Sequence, residues 1–114
     1  VEPSGLWIFL GTFALYIGYR SFRFARAKRQ IPALLDQGAV IVDVRTPAEF
    51  QSAANPKSIN IPLDRFLAES KVLPKDKPVI LCCASGARSG AAVGVLKAQG
   101  FQKVLNAGPW TNTL

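Results

Sequence analysis

Residues 78–100 read PVILCCASGARSGAAVGVLKAQG, and the fold turns on how this stretch is parsed. β-Branched Val79 and Ile80 lead an apolar run that stops at Cys82 and Cys83. A small-residue loop with Gly86 and Arg88 follows, and Ala92, Val95, Leu96 and Gln99 then recur at helical spacing. The order is strand, loop, helix. A thiol at the C-terminal end of a buried strand, facing N–H groups that open a helix, stands where a thiolate is best stabilised. Ala84, Ser85, Gly86 and Ala87 are small enough for the loop to curl around one atom, and Gly86 adopts positive φ at little cost. Because strand side chains alternate, Cys82 points into the core, opposite Cys83; a resolving-thiol role is its alternative.

Upstream, AVIVDV at residues 39–44 reads as a buried strand. TPAEF follows, with Thr46 as N-cap, Pro47 at the first helical position and Glu49 completing a capping box. Residues 53–58 are loop, and Ile59, Ile61 and Leu63 alternate in a short strand interrupted by Pro62. Residues 63–70 read as helix with Phe66 and Leu67 facing in, and residues 71–78 as a surface connection. Residues 31–37 form a short helix with Leu34 and Leu35 on its apolar side and Gly38 at C′. Residues 103–105 give a last short strand before the Gly- and Pro-marked tail NAGPWTNTL. Strands alternating with helices predict an α/β fold, a small open parallel sheet with flanking helices, whose ligand site lies beyond the carboxyl ends of the strands.

The N-terminal part has a different composition. Residues 6–19, LWIFLGTFALYIGY, are an uncharged apolar run of 14 residues without period-2 alternation. With residues 3–5 extending one end, Arg20 snorkelling at the other, and Trp7, Tyr16, Tyr19, Phe22 and Phe24 as an aromatic belt, the run predicts one transmembrane helix. A core helix is the alternative. The domains are then a membrane helix and basic juxtamembrane segment at residues 1–30 and a globular domain at residues 31–114. Of the formal charge of +7, residues 1–30 carry +4, from Arg20, Arg23, Arg26, Lys28 and Arg29 against Glu2. So local a cluster predicts a bilayer partner through residues 4–22, with the domain on the cytoplasmic side, and no nucleic-acid partner. A homo-oligomer through that helix has weak support, since Gly5, Gly11 and Gly18 form no regular small-residue spacing. Adjacent cysteines read as thiols, and without histidine they make no metal site.

Taken together, VILCC, the loop CASGARS, the helix ending LKAQGF, the earlier VDVRTPAEF, the strand SINIPL and the tail VLNAG resemble the rhodanese (sulfurtransferase) family, across roughly residues 31–110. The sequence departs from the family where Gly-His-Ile-Pro-Gly-Ala becomes AANPKS and where a terminal Gly-Gly becomes Gly108-Pro109. The resemblance implies that Cys83 accepts sulfane sulfur as a persulfide, from a donor such as thiosulfate or a persulfide, and passes it to a thiol or cyanide without a cofactor. Residues Ala84, Ser85, Gly86, Ala87, Arg88 and Ser89 would form the substrate loop. Arg88 would bind the donor's anionic group or brace the loop, and Ser89 would cap the helix or touch substrate. Asp43 and Arg45 are supporting residues at a strand end, tying loops together or aiding catalysis.

Two other classes compete. Counted from Cys82, five residues precede Arg88, and CCASGARSG resembles a cysteine-dependent phosphatase loop; no histidine precedes the cysteine and no general-acid loop is evident. A non-catalytic binding module of rhodanese type is the third reading.

Overall fold

The computed structural model describes residues Pro3–Leu114. Four strands form one sheet: β1 (Val40–Asp43), β2 (Ile59–Asn60), β3 (Val79–Cys83) and β4 (Val104–Pro109). Their order is β2-β1-β3-β4, and every neighbouring pair is parallel. The helices are α1 (Pro3–Asp36), α2 (Pro47–Ser52), α3 (Phe66–Glu69) and α4 (Ala87–Ala98).

The period of two along β3 divides the core. Val79, Leu81 and Cys83 face one side with Val42, Val44, Phe66, Ala92 and Leu96, under α3 and α4. Ile80 and Cys82 face the other, with Ile41, Ala107 and Ile31 of α1. Every residue of β3 is buried, as a central parallel strand covered on both faces requires. The site loop follows the carboxyl end of this strand, where α4 begins.

Helix α1 departs from expectation. The short helix expected at residues 31–37 and the apolar run before it are one continuous helix of 34 residues. Phe24, Ala27 and Ile31, spaced three and four apart, are its buried stripe. Among the described residues no helix is long and apolar enough to cross a membrane. The apolar run rises only about 21 Å at about 1.5 Å per residue, against a hydrocarbon core of about 30 Å. Arg20 does not extend it by snorkelling, because its guanidinium donates to the Ser85 carbonyl oxygen at 2.6 Å. The expected transmembrane helix, the bilayer contact through residues 4–22 and the single-pass location with a cytoplasmic domain are overturned on this ground.

Smaller differences have local causes. Strand β2 is two residues long, since Pro62 has no N–H to continue it. Residues 63–72 alternate 3-10 turns with the four-residue α3, so α-helical spacing fails: Phe66 is fully buried while Leu67 is 67% exposed. Strand β4 runs four residues past Leu105, where the expected last strand ended, which its register shift against Leu81 and Cys82 accommodates.

Candidate active site

Three segments build the site: the loop between β3 and α4, the end of β4, and the start of α2. Gly86 lies in the left-handed region at φ 100° and turns the chain so that α4 starts at Ala87. Its N–H donates to Cys83 Sγ at 2.9 Å. The Ser89 N–H points at the same sulfur at 3.4 Å, and the Ser89 hydroxyl lies 3.4 Å from it. Burial alone pushes the Cys83 thiol up, but the Ser89 hydroxyl and the N–H groups of Ser89, Gly86 and Ser85 outweigh it and hold the thiol below its ordinary value. Ser89 therefore does not cap α4: it is the third helical residue, and its hydroxyl turns inward.

That hydroxyl has one proton and two neighbours. It donates to Asn106 Oδ1 at 2.7 Å, leaving its oxygen to accept the Cys83 S–H. When Cys83 ionises, the proton turns to the sulfur, and Asn106 Oδ1 keeps the Gly108 N–H at 2.9 Å. Asn106 also donates from Nδ2 to the Gly86 carbonyl at 3.0 Å, so one side chain of β4 anchors both the turn and the hydroxyl.

Cys82 has the opposite surroundings. It is fully buried on the other sheet face, and burial, reinforced by the Asp43 charge, pushes its thiol up to about 12. The phosphatase spacing counted from Cys82 has no thiolate at its head.

Arg88 and Arg45 are each committed to a carboxylate. Arg88 donates to both Glu49 oxygens, at 2.7 and 3.0 Å, and Glu49 is lowered to about 2, chiefly by this pairing and then by the Thr46 N–H. Glu49 is also the capping-box residue of α2, accepting from the Thr46 N–H while Thr46 Oγ1 accepts from the Glu49 N–H. Arg88 thus braces the loop against α2. Arg45 forms a buried pair with Asp43 at 2.7 Å, donates to the carbonyls of Ala53 and Glu49, and lies 4.9 Å from the Trp110 ring centroid. Its bonds tie the end of β1 to the end of α2. Ala84 and Ala87 put only methyl groups on the loop.

Three contributors were missed in the sequence. Asn106 left a signal, a polar residue within an otherwise apolar strand that had to find buried partners. Glu49 was assigned only its local capping role. Phe24 of α1 left no signal: its ring lies against Gly86 and Gly108, so close that a Cβ would stand 2.5 Å from it at Gly86 and 2.7 Å at Gly108.

The fold and site define a parallel α/β protein with one cysteine held by loop N–H groups beyond the carboxyl end of a central strand. The chain belongs to the rhodanese-like domain family, whose model matches residues 28–108. It is 37% identical over 70 residues to a sulfurtransferase of Allochromatium vinosum, covering 61% of this chain and 65% of that protein. It is 38% identical over 78 residues to a thiosulfate sulfurtransferase of Pseudomonas syringae, covering 66% and 71%. The chain thus spans about two thirds of the length of these relatives. Among solved structures, a rhodanese with anions from E. coli superposes with a TM-score of 0.60 at 32% identity, over 65% of this chain and 89% of that one.

Proposed function

We propose that the protein is a sulfurtransferase that carries sulfane sulfur on Cys83. The observation that carries this reading is the convergence of the Gly86 and Ser89 N–H groups and the Ser89 hydroxyl on one buried sulfur. The Cys83 thiolate attacks the outer sulfur of thiosulfate, the S–S bond of the donor breaks, and its electron pair leaves on sulfite. The product is a Cys83 persulfide whose terminal sulfur bears the negative charge. A thiol or cyanide then takes that sulfur and returns the thiolate, which makes the kinetics ping-pong. No histidine base is required, because the loop stabilises the ionised sulfur directly.

Cys83 is fully buried in the resting structure, so the loop has to part before a donor reaches it. The Arg88–Glu49 pair on one side and the Asn106–Gly86 bond on the other return it to the closed form. Thiosulfate serves as the first donor to test, on the strength of the named activity of the Pseudomonas syringae relative. Exposure to thiosulfate should add about one sulfur, about 32 Da, to the protein. Cyanide should remove it, and Cys83→Ser should prevent it. A protein with a demonstrably free Cys83 that gains no sulfur from thiosulfate, glutathione persulfide or polysulfide would overturn the reading.

A further inference from the structure

An anionic donor approaching a thiolate meets repulsion, so some cation beside the sulfur has to offset it. The two arginines expected near the loop do not serve. Arg88 is held by both Glu49 oxygens, and Arg45 by Asp43. Helix α1, by contrast, lays a cleft of about 190 Å³ along the outside of the loop, lined by Tyr16, Tyr19, Arg20, Arg23 and Phe24 opposite Ser85, Gly86 and Ala87. No acidic residue lines it. Phe24 is wedged against Gly86, whose N–H holds the Cys83 sulfur, so the cleft adjoins the thiol across a single residue of the loop. The guanidinium of Arg20 lies 5.1 Å, and that of Arg23 5.6 Å, from the Phe24 ring centroid. Arg20 also donates one N–H to the Ser85 carbonyl. Among the described residues neither arginine has a carboxylate partner.

We infer that Arg20 and Arg23 form an anion-receiving wall beside Cys83, which selects sulfur donors with an anionic end, an inorganic thiosulfate or a carboxylate-bearing persulfide. This rests on Cys83 being the sulfur-accepting thiolate. Phe24 sets the two guanidiniums at the loop, and the Arg20 bond to Ser85 keeps one of them at its edge. The remaining N–H donors of Arg20 and those of Arg23 are suited to sulfonate or carboxylate oxygens. The helix that would have been an anchor thus supplies charge that the loop itself has neutralised.

The test uses two alkylating reagents of the same reach and different charge. Iodoacetate is anionic and iodoacetamide neutral; in each case the Cys83 thiolate displaces iodide. In Arg20→Gln/Arg23→Gln the iodoacetate to iodoacetamide rate ratio should fall about three- to tenfold at low ionic strength, and the effect should shrink as salt screens the charge. Arg29→Gln, which removes one positive charge from an exposed position elsewhere on α1, should leave the ratio unchanged, whereas Arg20→Gln and Arg23→Gln taken singly should each lower it. In steady state the double variant should raise KM for thiosulfate by about the same factor or more, with kcat changed less. Glutathione persulfide, tested in parallel, separates the two sources: the donor whose KM rises is the one the wall receives. An unchanged alkylation ratio, an equal fall in Arg29→Gln, or a Cys83 closed to both reagents overturns the wall. A lowered ratio in a protein that turns over none of the donors would leave the wall standing and refute sulfur transfer instead.

Discussion

Replacing Ser89 with alanine isolates the hydroxyl from the rest of the cradle. The Ser89 N–H still points at Cys83 Sγ, and Asn106 Oδ1 keeps the Gly108 N–H, so neither loop nor strand loses its anchor. What disappears is one O–H donor to the ionised sulfur. A hydrogen bond to a charged group contributes about 1.5–3 kcal/mol, but the hydroxyl gives up a neutral bond to Asn106 of about 0.5–1.5 kcal/mol in making it. The net loss is about 1.4 kcal/mol, a tenfold smaller thiolate fraction wherever the thiol form predominates. Iodoacetamide rates on Cys83, followed by intact mass across the pH range, should therefore fall about tenfold on the acidic side, converge with the wild type in alkaline solution, and inflect at higher pH. An Ser89→Ala profile that superposes on the wild type, or inflects at lower pH, would refute the assignment of the hydroxyl to the thiolate.

Other expectations follow from the same contacts. Cys83→Ser should abolish persulfide formation, whereas Cys82→Ser should retain most of it, as read by mass after thiosulfate; the reverse would move the nucleophile to the other face of the sheet. The folded-state Glu49 carboxyl is depressed to about 2, so its pairing with Arg88 contributes fully above the unfolded carboxyl's value near about 4.3 and is lost as pH falls from there to about 2. Thermal unfolding of wild type and Glu49→Gln should differ at neutral pH and converge across that window; a gap that persists below it would point to the capping bonds instead. Gly108→Ala, with φ at 78° and the Phe24 ring 2.7 Å from the added carbon, should lose at least about 1–2 kcal/mol in denaturant unfolding, and Phe24→Ala in the same chain should recover part of the loss that comes from crowding. Phe66→Ala empties a fully buried position and should cost about 3–5 kcal/mol by the same assay.

What could be read from the sequence was local. The β3–loop–α4 unit declares itself through an apolar run, two cysteines and small loop residues, and the Thr46–Glu49 capping box spans four consecutive residues. The two structural pairings that complete the site are distant in sequence: Glu49 meets Arg88 at a separation of 39 residues, and Asn106 meets Gly86 at 20. Capping already explained Glu49, so nothing in the sequence asked for a second partner. Asn106 and Gly108 fell in the tail beyond the expected last strand, and the partners of a buried asparagine are identified only once its neighbours are known. Helix α1 was divided at its basic segment because charge density marks a boundary in composition, while helical hydrogen bonding continues through it. The run of apolar residues was long for a core helix and short for a bilayer, and only the placement of Arg20 on the loop decided its register.

The dependence of the cradle on β4 bears on the order in which the chain is made. Cys83 leaves synthesis before Asn106 does, and until β4 docks the Ser89 hydroxyl lacks its Asn106 acceptor and the Gly86 carbonyl has only the Gly90 N–H of α4. During that interval the cradle around Cys83 is incomplete and its thiolate is less stabilised. The full cradle arrives with closure of the sheet. The residue that orients the Ser89 hydroxyl and braces the Gly86 turn thus belongs to the last strand in the chain.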